Sequence, residues 1–118
     1  MDMQRKTPRS RPRSYLGVFD RETDKLLGGL ADLTADGIML FGDTAFQVNQ
    51  TCDVRLTLPK AILECREIVF SVSCVWCRRS VDTVLYHTGF KIIDITEEEK
   101  GKITRLLNHS LFTEAAVK

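Results

Sequence analysis

Long apolar stretches are missing from this sequence of 118 residues. None approaches the roughly 18–20 consecutive apolar residues that a membrane-spanning helix needs. The N-terminus carries arginines but lacks the apolar run that follows the basic residues of a secretory signal. These absences predict a cytoplasmic chain without membrane insertion. Its four cysteines are therefore expected to be reduced thiols.

Signatures of catalysis are missing as well. The sequence has no glycine-rich phosphate-binding loop, no metal-binding helix motif and no activated nucleophile beside a base. The two histidines, His87 and His109, stand alone, and a structural role is the simpler interpretation of each. We predict that the chain is not an enzyme and has no catalytic residue, no metal and no cofactor.

The cysteines offer one motif, Cys74-Val75-Trp76-Cys77. Within a regular strand, positions three apart face opposite sides, so Cys74 and Cys77 should not share a metal ion. Cys52 and Cys65 add no second ligand pair at zinc-finger spacing. The sequence therefore favours cysteines that act as small core hydrophobes, and Trp76 is expected to be a core or rim residue of the fold.

What the sequence does have is an ordinary globular composition with an uneven distribution of charge. Hydrophobic residues make up 43% and charged residues 28% of the chain, enough for one domain with a core. Residues 1–14 carry five basic side chains against Asp2, whereas the remainder has a net charge of −3. The five are Arg5, Lys6, Arg9, Arg11 and Arg13. A basic arm on a mildly acidic body predicts an anionic partner.

The apolar pattern predicts a mainly β fold. Residues 1–13 are almost devoid of apolar side chains and should form an arm that is mobile without its ligand. Six short segments rich in β-branched and aromatic residues follow, with a turn at Asp36-Gly37 and a possible bulge at Gly28-Gly29. The predicted strands cover residues 14–20, 26–34, 38–41, 52–58, 66–77 and 84–93. Six strands without intervening helices favour an antiparallel β-barrel.

The C-terminal region changes to helical periodicity. Thr96 and Glu99 fit a capping box, with Thr96 as N-cap and Glu99 at the third helical position. Apolar residues then recur at helical spacing, which predicts an amphipathic helix over about residues 96–113 that packs on the barrel. The apolar stripe consists of Ile103, Leu106, Leu107 and Leu111.

Two short motifs could bind a ligand that carries phosphates and guanine. Arg9 and Arg13 offer planar forks that bind phosphate bidentately or pair with guanine O6 and N7. Arg5 and Arg9 have the same spacing, so the register of this pair stays open. An arm that only improves solubility, or that holds nucleic acid loosely, would have the same composition.

The second motif lies in the first predicted hairpin. Asp32 and Thr34 are two residues apart, so they should share a strand face while Leu33 points to the core. A carboxylate accepts the N1–H and N2–H donors of guanine, and a hydroxyl binds phosphate. Gly37 permits positive φ and leaves room for a ligand. The alternative is that Asp32 and Thr34 are outward polar residues before a turn.

In this order the two motifs resemble those of the PilZ domain family, bacterial receptors for cyclic di-GMP. The family has Arg-x-x-x-Arg before the first strand, then Asp/Asn-x-Ser-x-x-Gly about twenty residues later. This sequence has threonine in place of the serine. The resemblance extends to the opening hairpin, the tryptophan-bearing strand and the closing strand at Thr88–Ile95, and covers about residues 5–112.

The resemblance implies a six-stranded PilZ-type barrel and a ligand site made of Arg9, Arg13, Asp32, Thr34 and Gly37. It also implies signalling in motility, pili, surface polysaccharide or virulence. The leading hypothesis is a cyclic di-GMP receptor whose arm becomes ordered around the ligand and whose output passes through an effector protein. One alternative is a nucleotide-independent adaptor of the same fold. Another is an arm that binds nucleic acid non-specifically, with a steep salt dependence.

Overall fold

A computed structural model describes residues 15–59 and 66–109 in full, and the backbone alone of Ser10–Pro12 and Phe112–Glu114. The chain forms eight strands and one helix among these residues. They are β1 (Ser10–Pro12), β2 (Gly17–Asp20), β3 (Leu26–Leu33), β4 (Gly37–Gly42), β5 (Thr51–Thr57), β6 (Glu67–Arg79), β7 (Tyr86–Asp94), α1 (Glu97–Leu107) and β8 (Phe112–Glu114).

Six of the strands close into an antiparallel barrel, as the sequence predicts. Their order is β2-β5-β6-β7-β4-β3, and pairing between β2 and β3 completes the ring. Closure leaves these strands without a free edge that another chain could pair with. The short strand β1 pairs with β8 and also meets β3, where Ser10 lies opposite Leu33.

The core fills the barrel and follows the alternation of each strand. In β5, for example, Cys52, Val54 and Leu56 are buried while the residues between them are exposed or half-buried. In β3 the alternation is broken, because Leu30 and Leu33 are both buried although they are three residues apart. A register shift at Ala31 explains this, since one extra residue turns the rest of the strand over.

The helix packs against β6 and closes the barrel with Ile103 and Leu106, which are almost fully buried. The Thr96 hydroxyl accepts a hydrogen bond from the Glu99 N–H at 3.2 Å, which confirms the predicted N-cap. The helix ends at Leu107, six residues before the predicted end, with Asn108 as its C-cap.

Two predicted boundaries differ from the structure. Phe112–Glu114, predicted as the end of the helix or just beyond it, forms β8, where phenylalanine and threonine favour a strand. Ser10–Pro12, predicted as part of a free arm, forms β1 and pairs with β8. The stripe residue Leu111 lies outside the described residues. In the part of the chain that is described, no helix is long and apolar enough to cross a membrane.

Candidate functional site

One row of side chains on the outer face of the barrel crosses four neighbouring strands. Asp32 on β3 lies opposite Met39 on β4, which lies opposite Gly89 on β7, which lies opposite Trp76 on β6. Directly opposed residues in an antiparallel sheet share a face. The row runs from Asp32 at one end to Trp76 at the other, and the Trp76 ring lies over Gly89.

Two β-bulges direct the ends of this row outward. The bulge at Ala31 lets Asp32 face outward although Leu30 and Leu33 both face the core. A second bulge, at Val75, likewise turns the Trp76 side chain outward. Bulges commonly re-aim side chains beside functional sites, and both of these border the same surface.

The surface contains a hollow of about 240 Å³, which we call the binding hollow. It is lined by Asp32, Thr34, Asp36, Gly37, Ile38, Val75, Trp76, Gly89, Phe90 and Lys91. Three of the five site residues predicted from the sequence, Asp32, Thr34 and Gly37, therefore line the same hollow. The other two, Arg9 and Arg13, lie outside the described residues, as does Arg5.

The chain between the two predicted arginines, Ser10–Pro12, can still be located relative to the hollow. Ser10 of β1 pairs with Leu33, the residue between Asp32 and Thr34. This part of the arm therefore lies directly beside the strand that carries the predicted guanine-binding carboxylate.

The Thr34 side chain organises the turn that forms one wall of the hollow. Its hydroxyl accepts hydrogen bonds from the N–H groups of Asp36 and Gly37, both at 3.1 Å. It donates to the Gly37 carbonyl across 3.4 Å, a long contact. The same carbonyl accepts a hydrogen bond of 2.9 Å from the Thr34 N–H. Thr34 thus has a structural role in addition to any contact with a ligand.

Gly37 lies where the sequence predicts it, but the reason for glycine is different. Its φ angle is not positive, in contrast to the expectation. A Cβ at Gly37 would lie 2.4 Å from the Phe90 carbonyl oxygen, so the close approach of β7 requires glycine. Gly89 similarly lies under the Trp76 ring, where a Cβ would be 2.3 Å from Nε1.

Two of the seven lining residues outside the predicted site, Trp76 and Lys91, have side chains suited to contact a nucleotide. Trp76 was expected at the core or rim of the barrel, and it lies half-buried at the hollow with the Arg78 guanidinium 5.1 Å from its ring centroid. Nothing in the sequence marks Lys91 as a site residue. Its pairing with Gly37 across β4 and β7 brings it to the hollow, and a sequence alone does not give that register.

The bulge at Val75 also corrects the interpretation of the cysteine motif. Cys74 is buried and Cys77 packs against the core, so both face inward rather than to opposite sides. Burial, together with nearby Cys77, raises the pKa of the Cys74 thiol, which keeps it protonated and unreactive. Within the described ranges, no three His, Cys, Asp or Glu side chains are placed to hold a metal ion.

Comparison with known proteins identifies the family. The family model of the PilZ domain matches residues 3–109. No curated protein gives a significant match. The PilZ domain of YcgR from Escherichia coli, solved with c-di-GMP, superposes with a TM-score of 0.67 at 14% identity, covering 92% of each chain.

Two longer proteins contain the same fold. The Bacillus subtilis inhibitor of motility MotI/DgrA has a TM-score of 0.71 at 15% identity over 90% of this chain and 50% of its own. MrkH of K. pneumonia has a TM-score of 0.68 at 14% identity over 88% of this chain and 48% of its own. This chain thus spans about half the length of either protein.

Proposed function

Because this chain belongs to the PilZ domain family, we propose that it is a cytoplasmic receptor for cyclic di-GMP. The ligand would occupy the binding hollow, with Arg9 and Arg13 closing over it from the arm. The observation that carries the proposal is the convergence of Asp32, Thr34 and Gly37 on one hollow.

The chemistry of the hollow suits a guanine nucleotide. Asp32 is only 4% exposed, so its carboxylate would hydrogen-bond guanine N1–H and N2–H in a poorly solvated place, where such bonds are stronger. Arginine forks in the arm would bind the phosphates or the guanine O6 and N7 edge.

Thr34 can contribute to phosphate binding without breaking the turn. Its oxygen accepts two backbone hydrogen bonds, whereas its single proton makes only the 3.4 Å contact with the Gly37 carbonyl. That carbonyl keeps its shorter bond to the Thr34 N–H. The hydroxyl proton is therefore available to a phosphate oxygen at little cost.

The arm would provide the conformational response. Ligand binding would draw the residues on both sides of β1 toward the hollow and order them around the nucleotide. Because β1 also pairs with β8, the change would reach the C-terminal segment and alter a surface seen by an effector protein. The similarity to an inhibitor of motility favours an output in motility or biofilm regulation.

Calorimetric titration with cyclic di-GMP tests the proposal. Asp32→Ala removes both acceptor oxygens and should weaken binding by more than tenfold. Arg9→Ala and Arg13→Ala should each weaken it by a similar factor. Arg105→Ala removes an exposed arginine on α1 and should leave binding unchanged.

Arg5→Ala decides the register of the arginine pair. A loss as large as that of Arg9→Ala, with Arg13→Ala unaffected, would assign the pair to Arg5 and Arg9. Folded chain that shows no heat with cyclic di-GMP at high concentration would contradict the receptor function. That outcome would leave a nucleotide-independent adaptor as the better explanation.

A further inference from the structure

We propose that Lys91 is a phosphate-binding residue of the barrel itself, which rests on the proposed function. Lys91 is the single cation among the described residues that line the binding hollow. Two carboxylates, those of Asp32 and Asp36, line the same hollow. An anionic ligand needs a cation there to offset their charge.

The strand register gives Lys91 free access to the hollow. It lies opposite Gly37 on β4 and opposite Ser73 on β6. Gly37 has no side chain to cover it, and Ser73 is small and 7% exposed. Lys91 itself is exposed and makes no ion pair with any residue that the structure describes.

Asp32 and Lys91 lie on opposite sides of β4, and Asp36 precedes Gly37, the partner of Lys91. Asp32 lies on β3 and Lys91 lies two strands away on β7, with β4 between them. A carboxylate suits the donor edge of guanine, whereas a lysine ammonium is a compact charge that suits a phosphate. We infer that a nucleotide binds across β4 with its base toward Asp32 and a phosphate toward Lys91.

This arrangement gives the barrel a phosphate contact that does not depend on the arm. The predicted arginines come from residues 9 and 13, whereas Lys91 belongs to a strand in the centre of the sheet. The effect of losing Lys91 should therefore persist when the arginines are removed. In a double-mutant cycle, Lys91→Gln and Arg13→Ala should be close to additive.

Titration calorimetry with cyclic di-GMP tests the contact. Lys91→Gln should weaken binding about tenfold, the effect of one charge-assisted hydrogen bond, while Lys91→Arg should retain most of the affinity. Lys100→Gln is the matched control, because Lys100 is exposed and lines a neighbouring hollow but not the binding hollow. Asp36→Asn should act in the opposite direction and tighten binding about two- to threefold by removing a repelling carboxylate.

The outcomes separate this inference from the proposed function. If the unaltered chain binds and Lys91→Gln binds equally well, the Lys91 contact is overturned while the receptor function stands. Equal weakening by Lys91→Gln and Lys100→Gln would show a general charge effect and would also overturn it. If the unaltered chain does not bind at all, the proposed function fails and the Lys91 contact fails with it. Thermal unfolding of each variant checks that it is folded.

Discussion

The shape of the binding hollow depends on two residues that lack side chains. Gly37 allows the Phe90 carbonyl to approach, and Gly89 makes room for the indole ring of Trp76. Backbone and ring are both rigid, so neither position can accept a methyl group without a shift of its neighbours. Glycine at these two positions is therefore needed both for the shape of the binding hollow and for the packing of β4, β6 and β7.

Gly37→Ala should destabilise the fold by about 1–3 kcal/mol, the usual cost of overpacking. The added Cβ would lie 2.4 Å from a backbone oxygen, which cannot move without disturbing β7. Gly101→Ala is the control, since its nearest neighbour would be the Arg105 side chain at 3.9 Å. In the helix that change should stabilise by about 0.5–1 kcal/mol. Urea unfolding measures both, and equal midpoints would contradict the packing account.

At the level of single residues, the sequence predicts the site residues that belong to a recognisable local motif. Asp32, Thr34 and Gly37 were identified because their spacing matches a known motif, and all three line the hollow. The sequence did not predict that Cys74 and Cys77 share a face or that Trp76 borders the hollow. Both follow from the extra residue at Val75, and a bulge is defined by the partner strand, which periodicity does not show.

Among the elements, α1 is attached to the barrel by a buried carboxylate. The sequence predicts that Glu99 belongs to a capping box, but its side chain accepts a hydrogen bond from the Val69 N–H of β6 at 2.9 Å. Lys102 pairs with its other oxygen at 2.8 Å. Burial alone would raise the pKa of Glu99, but the hydrogen bonds from Lys102 and Val69 hold it below its ordinary value.

This carboxylate should make stability depend on pH. Because the pKa of Glu99 is lower in the folded chain, its contribution is full above the ordinary carboxylate pKa and is lost as pH falls through the folded pKa. Glu99→Gln should therefore cost about 1–2 kcal/mol near neutral pH and much less in acid. Denaturant unfolding at neutral and acidic pH measures the difference.

The exposed Glu97 provides a comparison for Glu99. Among the described residues its one ion pair is with Lys100 across 3.5 Å, so Glu97→Gln should have a much smaller effect at either pH. A cost of Glu99→Gln that is the same at both pH values would show that the carboxylate charge does not hold the helix.

Elements as a whole were predicted more reliably than their ends. All six barrel strands and the start of α1 were predicted from the sequence, because each has a local pattern of its own. The end of the helix at Leu107 was not predicted, since the apolar residues beyond it also fit a helical stripe. Pairing of Phe112–Glu114 with β1 is a contact between distant parts of the chain, which local propensity cannot predict.

At the scale of the whole molecule, the proposed function gives the barrel and the arm separate roles. The six strands close among themselves, whereas β1 contributes three residues that pair mainly with β8. The barrel should therefore fold without the arm, and the arm should be needed for tight binding. A receptor that responds through its arm needs a barrel that stays folded while the arm changes conformation.

Removal of residues 1–13 should leave a folded barrel that binds cyclic di-GMP at least about a hundredfold more weakly, because two charge-assisted contacts are lost. Circular dichroism and thermal unfolding measure the fold, and calorimetry measures the binding. An unfolded product would contradict the separation of barrel and arm. Undiminished affinity would show that the predicted arginines do not contact the ligand.

The most direct test of the account uses the single tryptophan of the chain. Trp76 lines the binding hollow, so a ligand bound in the hollow should change its fluorescence. Titration with cyclic di-GMP should change the emission in a saturable way, whereas GTP and cyclic di-AMP should have little effect. Calorimetric binding without a fluorescence change would place the ligand away from the hollow, and no response to cyclic di-GMP in either measurement would contradict the account as a whole.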